Sequence, residues 1–393
     1  MIDFCFDKDC CGCSSCANSC PVNAISMKPN QEGFLVPIVN KQLCIECGKC
    51  EKACPHINTT TDISSYSLDC FNEKASYLYY YEDSARENSA SGGFVYAAMK
   101  QCIDRGGIVS GCIWDENLKA IHIVTDKVED LPKLQSSKYV QSEIGSTFSE
   151  IKNALIKGRE VVFCGTPCQT AGLRFFLGKT NTSKLISICV ICHGTPSPLV
   201  WKRWKECQEA KNHGILTYVN MRDKHEKGYS TTCCKYIYKC QSKEKIVVRP
   251  AYLADPYVFL FSDSLYLRNS CYHCQYKADY NGADIIAGDF HASIKEAGRW
   301  GCSSLFVMTE KGMNFIETLP GFCKKEDPRK LASVNPMLWK SEKEHPMRNE
   351  FFKRIVYGAE ESDFTCYLPQ KFYIKGILSK FGVFNLLRKA LKK

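Results

Sequence analysis

From about residue 75 to about residue 308, short apolar runs ended by glycine alternate with longer stretches whose apolar side chains recur every three or four positions. The first pattern is that of buried strands and the second that of amphipathic helices, so their alternation predicts an α/β domain. Strands are predicted over 75–81, 108–113, 160–164, 185–191, 284–287 and 304–308. Helices are predicted over 94–103, 151–157, 169–177 and 199–210, and an antiparallel pair over 229–240 and 245–248. Ahead of this region, 24–27 and 33–39 read as a hairpin. The Thr-, Ser- and Asp-rich stretch 59–68 reads as a linker. The predicted organisation is an α+β module over 1–58, a linker over 59–75, a larger α/β domain over 76–340, and a helical basic tail over 341–393.

Composition narrows the class. The chain of 393 residues is 45% hydrophobic and holds 26 cysteines. A secreted disulfide scaffold requires a leader, which Met1-Ile2-Asp3-Phe4-Cys5 does not begin, so open thiols in a reducing cytoplasm are expected. The longest apolar runs, such as 185–192, fall far short of the roughly 18–20 residues of a membrane span. The net charge of +10 comes from scattered Lys and Arg without a nucleic-acid-binding motif, so no nucleic-acid partner is expected.

The cysteines change the picture most. Cys10, Cys13, Cys16 and Cys20 precede Pro21, and 34 residues later Cys44, Cys47, Cys50 and Cys54 precede Pro55. Both read C-x2-C-x2-C-x3-C-P, the run that binds 4Fe–4S clusters, with the fourth cysteine of each run reaching the other cluster. The assignment is therefore Cys10, Cys13, Cys16 and Cys54 for the first, and Cys44, Cys47, Cys50 and Cys20 for the second. A pair of structural zinc sites is the rival, but zinc hooks usually pair two short C-x2-C units across a longer gap. Residues 1–58 resemble the two-cluster ferredoxins.

A second constellation sits on predicted strand ends. Cys168 follows one strand in Gly165-Thr166-Pro167-Cys168-Gln169, and Cys192 follows another in Cys192-His193-Gly194. Such positions lie along the carboxyl edge of an open α/β sheet, where ligands bind. Cys271 and Cys274 supply two more thiolates from a third loop, which completes a shell for a cluster or for zinc. Cys164 and Cys189 compete but lie inside apolar runs. Cys112, Cys189, Cys233, Cys234, Cys302 and Cys366 read as small buried hydrophobes.

Taken in order, Ser89-Ala90-Ser91-Gly92-Gly93, Ser137-Lys138-Tyr139-Val140-Gln141-Ser142, the Cys168 and Cys192 turns, Cys271-x2-Cys274, and Ala283-Asp284-Ile285 through Gly288-Asp289 resemble the coenzyme F420 hydrogenase/dehydrogenase beta-subunit proteins, in the bacterial branch of that family. The resemblance runs from about 76 to 308. It implies an iron–sulfur flavoprotein oxidoreductase with a third 4Fe–4S cluster on Cys168, Cys192, Cys271 and Cys274, and bound FAD. Where bacterial members commonly carry Trp after Gly-Asp-Phe, this chain has His291. Ser89, Ser91, Gly92 and Gly93 ahead of a helix suit a diphosphate. Lys138, Tyr139, Gly165, Thr166, Gln169 and Gly288 complete the expected cofactor contacts. His193 and Asp289 are the candidates for proton delivery. Electrons would come from a ferredoxin or reductase and go to an unidentified small molecule; the alternative is a non-catalytic electron-transfer subunit or a redox sensor. The helical, basic 371–393 stretch suits an anionic membrane surface or an acidic partner.

Overall fold

The apolar runs assemble into one eight-stranded mixed sheet in the computed structural model, which describes residue 2 and residues 9–59, 66–241, 243–291, 295–370 and 372–374. In chain order the strands are β1 (Ile25–Pro29), β2 (Leu35–Val39), β3 (Ala75–Tyr80), β4 (Ile108–Trp114), β5 (Ala120–Thr125), β6 (Val161–Gly165), β7 (Leu185–Val190), β8 (Ile215–Asp223), β9 (Cys233–Cys240), β10 (Lys243–Pro250), β11 (Ile285–Asp289), β12 (Ser303–Val307) and β13 (Phe322–Lys325). The large sheet runs β13-β3-β12-β11-β7-β6-β4-β5. Its centre, β4-β6-β7-β11, is parallel, and its flanks are antiparallel. This is the α/β fold that the alternation predicts.

Parallel strands need cover on both faces, and the sequence supplies it. Val109, Val162, Ile188 and Ile285 pack under the helix Phe94–Asp104 through Phe94, Ala98 and Met99. On the opposite face Ile108, Val161, Phe163 and Leu185 pack under the helices Thr147–Ile156 and Pro167–Leu177 through Phe148, Ile151 and Leu173. Successive residues of β6 thus point to opposite cores, as the period of two demands.

The predicted pair over 229–240 and 245–248 is part of a three-stranded antiparallel sheet, β10-β9-β8. The pattern missed β8 because its register breaks twice, between Leu216 and Tyr218 and again between Asn220 and Asp223. Bulges of this kind spoil alternation. This sheet shares a core with the helix Pro198–Asn212 and with Phe351, Phe352, Ile355, Phe364 and Phe372 from the C-terminal helices. Residue 371 and residues 375–393 of the basic stretch lie outside the described residues, as do residues 60–65 of the linker. Tyr66 and Phe71, inside the predicted linker over 59–75, are instead packed on the large domain, Tyr66 donating to Gln275 O at 2.6 Å.

The N-terminal module is the β1–β2 hairpin with three short helices, Ser15–Ser19, Lys49–Lys52 and Pro55–Asn58. It is docked, not tethered. Phe34 is buried within the core of the β8–β10 sheet. Ser15 Oγ bonds both Ala53 O at 2.7 Å and Gly172 O at 3.0 Å, so one hydroxyl ties the module's own helices to the large domain. Arg268 reaches across with Nε on Cys10 O at 2.5 Å and Nη2 on Leu35 O at 2.9 Å.

Candidate metal centres and the sheet edge

The two cysteine runs fold alike. Gly12 and Ser14 in the first, and Glu46 and Gly48 at the same offsets in the second, have φ between 52° and 68°. This left-handed backbone at alternate positions turns successive N–H groups inward, a nest suited to anionic sulfur. Gly12 N–H lies 3.4 Å from Cys10 Sγ and Ala24 N–H lies 3.1 Å from Cys20 Sγ. One cavity is lined by Cys10, Cys13, Cys16 and Cys54 together with Cys11. A second is lined by Cys20, Cys44, Cys47 and Cys50. The thiols are thus grouped with the fourth cysteine of each run exchanged. Burial, followed by the charges of Cys10 and Cys54, pushes the Cys16 thiol up, so binding a metal there displaces protons. Among the described residues, no group of three His, Cys, Asp or Glu converges tightly enough to hold a single metal ion, whereas these cavities suit a larger inorganic core.

Cys168, Cys192, Cys271 and Cys274 also come together. Each residue is half-buried. Each thiol is pushed up: Cys192, Cys271 and Cys274 chiefly by desolvation with other members of the set contributing, and Cys168 chiefly by Cys11 and then burial; Cys274 rises to about 12. Cys271 Sγ accepts from Thr195 N–H at 3.3 Å. Cys168 opens the helix Pro167–Leu177, whose start is fixed by Pro167 in the first turn and by Gln169, whose side chain accepts from Thr166 N–H at 3.0 Å. Thr166 and Gln169 therefore spend their polar atoms orienting Cys168, with Gln169 Nε2 held by Ser142 Oγ at 2.8 Å. Cys189 donates to Val190 O and packs in an apolar cluster, and Cys164 packs beside another. Cys366, read from sequence as a buried hydrophobe, is exposed at the end of a short helix.

The first and third groups are neighbours. Gly172, on the helix that carries Cys168, packs so tightly on Cys13 that a Cβ there would lie 2.9 Å from Cys13 Sγ. The Cys11 thiol lies beside both Cys13 and Cys168. No spacing rule marks Cys11, because it is a variable position of the template; only the docked structure shows that it bridges two sites.

At the sheet's edge, Tyr139, Asp289 and the Ser89–Gly93 loop converge on one residue, Arg222. Its guanidinium pairs with Asp289 at 2.7 Å and donates to Ala90 O at 3.2 Å and Tyr139 Oη at 3.2 Å, while its Nε has no partner. Lys224, fully buried, donates to Ser91 O at 2.8 Å and Trp300 O at 2.6 Å, and desolvation brings its pKa down to about 7. The loop's hydroxyls are engaged within the fold: Ser89 Oγ donates to Ala85 O, and Ser91 Oγ meets Ser303 Oγ at 2.8 Å, which also takes Gly92 N–H. Gly92 has no room for a side chain, since a Cβ would lie 2.3 Å from Tyr79 O. Gly93 caps the helix with φ of 80°. Lys138 is tied to Lys133 O and Gln135 O. Gly165 and Gly288 leave space for the Phe163 and Ile191 side chains.

His193 is apart from this cluster. Its Nε2 lies 3.1 Å from Ser264 Oγ and 3.2 Å from Phe261 O, which can only accept, and its Nδ1 faces Glu342 at 3.6 Å. Phe261 separates it from Tyr139, touching His193 edge-on and Tyr139 face-on. The two proton-delivery candidates therefore do not share one pocket.

Residues 9–58 match the 4Fe–4S dicluster domain, and residues 158–322 match the C terminus of the coenzyme F420 hydrogenase/dehydrogenase beta subunit. One chain thus carries a match to each of these two domains. The second match contains Cys168, Cys192, Cys271, Cys274, Arg222 and Asp289, but not Ser89–Gly93 or Lys138. One of the subunits of the F(420)H(2) dehydrogenase of Methanosarcina mazei is 22% identical over 333 residues, 78% of this chain and 81% of its own. The coenzyme F420-dependent sulfite reductase of Methanocaldococcus jannaschii is 31% identical over 172 residues, 42% of this chain but only 24% of the reductase. A chain of the F420-reducing [NiFe] hydrogenase complex from Methanosarcina barkeri superposes with a TM-score of 0.43 at 16% identity, over 72% of this chain and 92% of that one. The protein is thus an iron–sulfur electron-transfer oxidoreductase related to F420 hydrogenase/dehydrogenase subunits. Within this beta-subunit-type domain, the basic side chains Arg222, Lys224, Arg268 and Lys277 escaped sequence reading, because isolated Lys and Arg carry no periodic or spacing signal. Among the described residues, no helix is long and apolar enough to cross a membrane.

Proposed function

We propose that the protein takes single electrons at its outer N-terminal centre, passes them inward through the centre beside Cys13 to the one at Cys168, Cys192, Cys271 and Cys274, and delivers them to FAD at the sheet edge. The observation that carries this reading is the contact of Gly172 and Cys11 with Cys13 and Cys168, which puts the first and third thiol sets side by side. The clusters would supply one-electron transfer, and FAD would gather two electrons for a hydride-accepting small molecule. The residues' own part is placement and burial. The nest N–H groups face the sulfurs, the capping box aims Cys168, and Arg268 locks the module against the domain. At the outer set Cys47 is exposed, and Leu43 and Ile45 beside it are 53% and 61% exposed. That surface suits a ferredoxin or reductase as donor, in the cytoplasm.

For FAD, Arg222 and Lys224 provide positive charge under the Ser89–Gly93 turn, with Asp289 the half-buried acid beside them. The test is anaerobic purification with flavin quantification. Arg222→Met is expected to lower FAD occupancy at least tenfold while the iron content holds; full occupancy in that variant would move the diphosphate elsewhere. Gly93 is a poorer probe, because any side chain at its positive φ strains the turn.

A pH dependence follows. Lys224 is charged below about pH 7 and neutral above it, so flavin affinity of the apoprotein is expected to fall as pH rises through that value. A flat affinity from pH 6 to 8, measured by fluorescence titration, would exclude Lys224 from the phosphate site.

A further inference from the structure

Lys277 is 3% exposed. Its ammonium donates to two backbone carbonyls, Cys192 O at 2.5 Å and Met337 O at 2.8 Å, and no carboxylate among the described residues pairs with it. An ammonium withdrawn from water with only neutral partners is costly, and such a group is retained where an anion lies close. The groups around it are thiols. Its charge pulls down Cys192, Cys274, Cys271 and Cys189 against the upward push of burial. Arg268, 2% exposed and also without a carboxylate among the described residues, favours the thiolates of Cys168 and Cys271 in the same way. Its Nε rests on Cys10 O, however, so it faces the first thiol set as well as the third. Lys277 faces the third set alone, and among the described residues no Lys or Arg lines the cavities of the first and second sets.

We propose that Lys277 is the fixed countercharge of the third centre and places its reduction potential above those of the two N-terminal centres. The inference rests on Cys168, Cys192, Cys271 and Cys274 holding a cluster. A thiolate-bound cluster is anionic and becomes more so on taking up an electron, so a fixed positive charge beside it stabilises the reduced state more than the oxidised one. The electron given up at the centre bound by Cys13 is the one gained at the centre bound by Cys168. The charge makes the inward step downhill.

The experiment is an anaerobic redox titration of the full-length holoprotein, followed by electron paramagnetic resonance, with iron counted in each sample. Lys277→Gln keeps donors for the Cys192 and Met337 carbonyls but removes the charge. It is expected to move the third centre's midpoint potential negative and leave the other two in place, while Lys277→Arg stays near wild type. An unchanged third potential in Lys277→Gln, or an equal shift of all three, would overturn the proposal. Loss of the third centre's iron in Lys277→Gln but not in Lys277→Arg supports the countercharge. Loss in both shows a packing role and overturns it. A wild-type count of about eight iron would instead remove the third cluster itself, a failure distinguishable from an unchanged potential in a protein with about twelve.

Discussion

Replacing Cys271 by Ala is expected to take the anaerobically purified protein from about twelve iron per chain to about eight, with a matching loss of sulfide. Cys271 has a backbone N–H aimed at its sulfur, from Thr195 at 3.3 Å, so its thiolate is prepared in the fold. Its loss opens the shell of Cys168, Cys192 and Cys274. It also strands the charges of Arg268 and Lys277 beside an empty space, so the melting temperature should fall together with the iron. Cys302→Ala is the control. Cys302 is buried with its thiol on Tyr79 O, outside all three thiol sets, and its loss should cost about 1–2 kcal/mol of stability with no loss of iron. Equal iron in Cys271→Ala and wild type would leave only the two N-terminal centres.

Arg348→Met is expected to destabilise the docking of the N-terminal module by about 3–5 kcal/mol, the cost of breaking a buried ion pair from one side. Arg348 is 1% exposed and grips Glu32, at the tip of the β1–β2 hairpin, with both terminal nitrogens, at 2.8 and 2.5 Å. Its Nε donates to Leu267 O at 3.1 Å, and Phe352 lies under the guanidinium at 4.6 Å. Without the arginine, Glu32 loses both of these hydrogen bonds. Limited proteolysis between residues 59 and 66 and a slowed transfer from an external ferredoxin would report the loosened module. An unaltered cleavage rate and melting curve would mean that Phe34 and Arg268 suffice to hold it.

The grouping of the eight N-terminal cysteines around two cavities was legible because the chemistry of a cluster dictates spacing within one short loop, and both loops obey it. The order of elements was legible for a similar reason: in β6 and β7 each residue serves a core on one face or the other, so apolar runs mark them directly. The sequence was less readable wherever a residue acts through distant partners. Thr166 and Gln169 read as cofactor contacts, yet the T-x-x-Q spacing is a capping-box signal, and the structure uses their polar atoms in that way. Ser89 and Ser91 read as open hydroxyls, but β12 supplies Ser303 from more than two hundred positions away. Arg222 stands on a bulged strand that the pattern did not reveal, and the partners of its guanidinium, Ala90, Tyr139, Tyr252 and Asp289, come from four separate segments. Nothing local in the sequence predicts such a meeting.

Cys47 is the exposed thiol of the second set, while Cys13 and Cys16 of the first set are buried and the third set lies behind them. Air should therefore attack this protein from the outside in. A briefly oxidised sample would lose its outermost metal first and keep the inner thiols intact. Such a sample would still accept electrons from small dyes that slip past the damaged loop. If a protein donor lands on that loop, as we propose, it would find no entry, so preparations active by dye assay would be dead toward such a donor.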